Sequence, residues 1–268
     1  MAIQVEKQFG IPRGVLSTCC LTLPLLIAGC GPSSSGTVTA TTSKTEGAKP
    51  SLRSQVRIAL IQDKSLSTGE TRTPELTLDN MEPLVELLGQ TGGELAVGTI
   101  DNRSNRCMVR LHIDAGPDEP LAPPAADNSL ERWQQQNELR KRKAAFEQQQ
   151  QAWQGAMQER IAVFQTAVEP ILSAPANAQH SPVWDAVRRA DLFLSEPQGA
   201  ASEPHRYVVL ITDGMDDVGA QPVPVHTGTR ILMVNGSGQL GSLAVLRPQR
   251  YESIEAAISQ IAALEGQQ

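Results

Sequence analysis

The 268-residue sequence has only four cysteines, and three of them, Cys19, Cys20 and Cys30, fall within the first thirty positions. Further along the chain Cys107 stands alone, so no internal disulfide can staple a fold there and a hydrophobic core must carry it. Beyond residue 30 no apolar run reaches the roughly 20 residues that a membrane-spanning helix needs. Positive charge is also short: 23 Lys and Arg stand against 29 Asp and Glu, a net charge of −6. The one locally basic stretch, LRKRKAA at 139–145, sits in a helical pattern where a solvated face accounts for it, so nucleic acid is excluded as a partner. The four histidines, His112, His180, His205 and His226, have no ligand-like spacing. No nucleophile elbow, phosphate-binding glycine loop or His-bearing triad pattern occurs. A hydrolase would have to rest on metal alone, and the chain reads as a binding protein and not an enzyme.

What is present begins with a leader. Lys7 and Arg13 precede the apolar segment GVLSTCCLTLPLLIAGC, the layout of a secretory signal, and Pro24 interrupts a stretch too short to span a bilayer. Ile27-Ala28-Gly29-Cys30 resembles the lipobox of bacterial lipoproteins. That resemblance implies cleavage after residue 29 and lipidation of Cys30, which would fix the chain to the cell envelope, at the outer membrane or the outer face of the plasma membrane. A multiply acylated cysteine is a lasting anchor, because each buried methylene adds about 0.8 kcal/mol. Residues 31–52, GPSSSGTVTATTSKTEGAKPSL, are mostly Ser, Thr, Gly and Pro and read as a flexible tether. The expected organisation is a signal peptide at 1–29, lipidated Cys30 with its linker to 52, and one domain over 53–268.

Within that domain, Ile58 to Ile61 read as a buried strand, and PELTLDNMEPLVELLGQTGG sets Met81, Leu84, Val85 and Leu88 on one helical face. Pro83 fits a helix that begins there, and Gly92-Gly93 close it. ELAVGTI is a further strand. In CMVRLHI the residues Cys107, Val109, Leu111 and Ile113 alternate with polar ones, which predicts an antiparallel edge strand with Cys107 in the core. Asn128 with Glu131 forms an N-cap pair for a helical insertion over about 129–172. Its second half carries a stripe, Trp153, Met157, Ile161, Phe164 and Val168, whereas its Gln-rich first half has little to bury. One long helix or a helical hairpin satisfies this pattern. SPVWDAVRRADLF is a shorter helix with Pro182 at its first position, RYVVLITDG and RILMVNG are strands, and Ile254, Ala257, Ile258 and Ile261 share one face of a closing helix. Strands alternating with helices predict an α/β fold: a Rossmann-like, doubly wound, mostly parallel sheet with one antiparallel edge strand.

Two of the most apolar strands run into aspartate, at Asp63 and at Asp213, which brings both carboxylates to the same edge of such a sheet, where ligands bind. Asp101 follows a third strand and reads as a turn residue. Asp63-Lys64-Ser65-Leu66-Ser67 matches the DxSxS of von Willebrand factor type A domains, VVLITDG resembles that family's later aspartate-bearing strand, and Ser181-Pro-Val183-Trp-Asp-Ala186-Val187 fits its threonine element with Ser in place of Thr. The resemblance spans roughly residues 53–265 and implies a metal-ion-dependent adhesion site. Asp63, Ser65, Ser67, Ser181 and Asp213 would hold Mg²⁺, or Mn²⁺ or Ca²⁺, and a partner protein would supply a carboxylate to an open position. Mg²⁺ suits such a set, since it keeps several waters and takes only one or two carboxylates. Ser181 keeps the oxygen but loses the methyl that restricts its rotamer. Asp216 and Asp217 read as solvated loop carboxylates near the site. Two rival readings stay open: a solute-binding lipoprotein, and a metal-free scaffold that binds partners through the long helix.

Overall fold

The computed structural model describes residues 55–102, 106–124, 128–197, 203–234 and 240–266. The expected signal, Cys30 and the tether lie outside the described residues. The elements in chain order are β1 (Val56–Asp63), α1 (Leu66–Thr71), α2 (Leu78–Thr91), β2 (Gly93–Ile100), β3 (Val109–Ile113), α3 (Ser129–Leu172), α4 (Val183–Ser195), β4 (His205–Ile211), β5 (Thr229–Val234), a 3₁₀ turn (Gly241–Leu246), β6 (Gln249–Tyr251) and α5 (Ile254–Glu265). The six strands lie in the order β3-β2-β1-β4-β5-β6. Only β3 runs antiparallel, against β2 at one edge; the remaining pairs are parallel. This is the expected α/β sheet with its antiparallel edge strand and a long helix.

Period-two alternation sorts β1 between two cores. Val56, Ile58 and Leu60 face a layer that contains Leu84 and Leu88 of α2, Phe164 and Val168 of α3, and Ile258 and Ile261 of α5. Ala59 and Ile61 face the opposite layer, built on Trp184, Val187, Ala190 and Phe193 of α4. Every residue of β1 is buried, as befits a central strand covered on both faces. Arg57 joins this interior because its guanidinium donates to the carbonyls of Leu194 and Glu196 and to the Glu94 carboxylate, and it stacks 4.6 Å from the Phe193 ring centroid. At the α2–β2 corner Gly93 has φ +138°, and a Cβ there would collide with the Val56 carbonyl.

Three expectations need correction. The helix α2 starts at Leu78, not Pro83, because Thr77 and Asn80 form a capping box; Pro83 sits exposed in its second turn. Cys107 is exposed and not in the core: β3 pairing with β2 stops at Val109, alternation stops with it, and Met108 is the buried residue. Pro182 is the N-cap of α4, one position ahead of its first turn. Of the two forms left open for the helical insertion, the structure has the single long helix, with Asn128 Oδ1 accepting from Glu131 N as expected.

The second half of α3 lies against β3 and α2, fixed by Trp153 Nε1 donating to Asp114 O (2.9 Å) and Arg160 Nη1 to Asp114 Oδ2 (2.9 Å). None of residues 129–152 is buried. At 1.5 Å per residue, that part of the helix is about 36 Å long. No helix among the described residues is long and apolar enough to cross a membrane.

Candidate metal centre at the carboxyl edge of the sheet

The strand order reverses direction between β1 and β4, the position where an open α/β sheet leaves a crevice at its carboxyl edge. Pairing of Gln62 with Ile211 sets Asp63 beside Thr212, with Asp213 next in the chain. Alternation turns Asp63 and Thr212 toward the α4 side, where Ser181 precedes that helix. Asp63 and Asp213 are 1% and 0% exposed, so two carboxylates are buried at neighbouring strand ends.

Asp63 is the hub. Its Oδ1 accepts from Ser65 N (2.8 Å), and its Oδ2 accepts from Thr212 Oγ1 (2.7 Å) and Ser181 Oγ (3.1 Å). Ser65 Oγ and Ser67 Oγ lie 3.1 Å apart. Asp213 Oδ1 accepts from Met215 N (3.0 Å), which turns the chain after β4. Burial pushes the Asp63 carboxyl above its ordinary range, the hydrogen bonds from Thr212 and Ser65 pull it back in part, and the nearby Asp213 charge pushes it up further.

The serine hydroxyls do not serve the helix ends beside them. Ser65 occupies the N-cap position of α1, yet its side chain makes no capping bond. Ser181 directly precedes the Pro182 cap, and its hydroxyl turns to Asp63. The amides at the start of α4 are met from the other side: Asp216 Oδ1 accepts from Val183 N (3.1 Å), and Asp217 Oδ1 from Ser181 N (2.6 Å). Asp216 and Asp217 are therefore not simple solvated loop carboxylates; they anchor the loop after β4 to the segment that presents Ser181. Thr212, buried completely, accepts from Gly214 N while donating to Asp63.

Sequence reading named the five side chains, placed Asp216 and Asp217 near the site without their anchoring role, and missed Thr212. The signal for Thr212 was the strand period, usable only once β4 is known to lie beside β1. Asp101 accepts from Thr99 Oγ1 (3.0 Å) at the end of β2, in keeping with a turn role. Among the described residues, no group of three or more His, Cys, Asp or Glu side chains is placed to hold a metal ion. The donor set at this edge is instead two carboxylates with serine and threonine hydroxyls, all hard oxygens, which fits a hard divalent cation that keeps part of its water shell.

No protein-family model matches the chain, and no curated protein matches it. Among solved structures, the proximal thread matrix protein 1 of the mussel byssus is similar at 12% identity and a TM-score of 0.34, over 80% of this chain and 48% of that one. The pilus adhesin SpaC from Lactobacillus rhamnosus GG, in its open conformation, is similar at 9% identity and a TM-score of 0.40, over 79% of this chain and 30% of that one. The chain thus spans about half the length of the first and a third of the second, and neither likeness assigns a family.

Proposed function

We propose that this chain is a metal-dependent protein-binding module with a von Willebrand factor A-like fold, held at the bacterial cell envelope through a lipid on Cys30. The observation that carries the reading is the convergence of hydroxyls on a buried aspartate. Ser65 and Ser181 each stand at a helix start where capping is the ordinary use of their side chains, and neither caps. Asp63, Ser65, Ser67, Ser181 and Asp213 would hold the ion, with Thr212 orienting Asp63. When bound, Mg²⁺ (or Mn²⁺ or Ca²⁺) would supply positive charge to two buried carboxylates and an open position for a carboxylate oxygen of a partner protein. The chain's own part is to keep the oxygens converged: Thr212 and Ser181 fix the Asp63 carboxylate, and Asp217 fixes the backbone of Ser181. The function is binding, with no reaction catalysed.

Thermal melting of the full chain tests this. A ligand that binds only the folded form stabilises it by about 2.7 kcal/mol at a hundredfold excess over Kd. Wild type is expected to melt several degrees higher in millimolar Mg²⁺ or Mn²⁺ than in chelator. Asp63→Ala should lose that difference, and Ser65→Ala, Ser67→Ala and Ser181→Ala should each reduce it. An equal melting temperature in metal and chelator for wild type makes the aspartates structural. A second reading, a metal-free scaffold that works through α3, draws support from the exposure of residues 129–152, including Trp133 at 62% and Leu130 at 64%.

A further inference from the structure

We propose that Lys64 is a positioning residue for the metal centre, one that ties the site to the root of the long helix; the inference rests on the metal-binding reading above. Lys64 lies between Asp63 and Ser65, and strand alternation sends its side chain to the face opposite Asp63, toward α3. There it is 4% exposed, and its Nζ donates to Leu172 O at 2.7 Å. Leu172 is the last residue of α3, so this carbonyl is one that the helix itself cannot satisfy. An ammonium group at a helix C-terminus also meets the negative end of the helix dipole. A lysine buried this deeply needs such a partner, because an unpaired buried charge is costly.

The same few residues are joined a second time through the backbone. Ala178 N donates to Lys64 O (2.9 Å), Leu66 N donates to Ala178 O (3.0 Å), and Ser65 bridges Ala178 in parallel. The segment that leaves α3 at Leu172 thus passes along the loop bearing Asp63, Ser65 and Ser67 and arrives at Ser181. Four of the five donors hang on the end of α3, Asp63, Ser65 and Ser67 through Lys64 and Ser181 through the chain from 173 to 180, whereas Asp213 follows β4. Ordering the donors around a cation should therefore order the root of α3, and displacement at that root should weaken the cation's hold. By linkage the two effects are one coupling.

The test uses the full chain with Mg²⁺ as the probe, followed by hydrogen exchange and by Mg²⁺ titration. In wild type, saturating Mg²⁺ is expected to slow exchange several-fold for amides between Gln165 and Leu172 and around Ala178. Lys64→Met should weaken Mg²⁺ about tenfold and remove that response, whereas Lys64→Arg, which keeps a cationic donor, should recover most of both. Ile258→Val, a core change on α5, should lower the melting temperature without moving Mg²⁺ affinity, which separates positioning from general loosening. Wild-type Mg²⁺ affinity in Lys64→Met overturns the inference while leaving the metal site intact. So does exchange at the α3 root that ignores Mg²⁺ in wild type, a result that needs no variant to fold. Absence of any Mg²⁺ binding by wild type sinks both the inference and the reading beneath it.

Discussion

Asp63 shows how a side chain can be stabilised by its neighbours and still be in tension with its place. Three hydrogen bonds hold its carboxylate, yet burial and the charge on Asp213 raise its pKa above the ordinary value of 3.8. A carboxyl whose folded pKa is raised binds its proton more tightly in the folded state. Its contribution favours folding below the unfolded pKa and is lost as pH rises through the folded one. In chelator, wild type is therefore expected to lose stability relative to Asp63→Asn as pH climbs from the acid range toward neutrality, measured by denaturant titration at a series of pH values. A pH-independent difference between the two would mean that Asp63 carries no such tension. The roles of Thr212, Asp216 and Asp217 were not legible in the sequence. Each depends on which strands and loops become neighbours, and Ser, Thr and Asp after a strand look alike whether they cap a helix, close a turn or meet a buried carboxylate.

At the scale of elements, periodicity read well wherever one face was buried. Ile58–Ile61, Met81, Leu84 and Leu88, and Ile254, Ala257, Ile258 and Ile261 all lie in the core, with Val85 partly buried against it. The misreadings have local causes. A capping box at Thr77–Asn80 outweighed the pull of Pro83 toward a helix start, since a proline in a second turn costs one backbone bond and the cap recovers others. Cys107 extended an alternating pattern past the point where pairing ends. The three-residue β6 and the six-residue α1 are too short to show a period at all. In α3 the apolar stripe marked the docked half, with Phe164 and Val168 buried and Trp153, Met157 and Ile161 partly buried against the same core. Most helical stability comes from packing an amphipathic face, so the undocked half contributes little to the fold. Excising about residues 130–150 and closing the gap with a short turn should leave the melting temperature nearly unchanged; a loss of many degrees would show that the extension is covered by something the fold needs.

For the whole molecule, the proposed lipid on Cys30 and the oxygen-lined edge where β1 and β4 end can be tested separately. Cys30→Ser is expected to release the protein from membranes or to block its maturation, scored by fractionation and by apparent size. Mature-sized protein that stays with the membranes would remove the lipid from the account. The proposed function requires that one divalent cation bind where β1 and β4 end. Its most direct measurement is the stoichiometry of Mn²⁺ bound to the full chain by equilibrium dialysis, in wild type and in Asp63→Ala. One Mn²⁺ per chain is expected in wild type, displaced by excess Mg²⁺, and none at the same free concentration in Asp63→Ala. Equal Mn²⁺ binding by the two, or none by wild type at millimolar concentration, would contradict it.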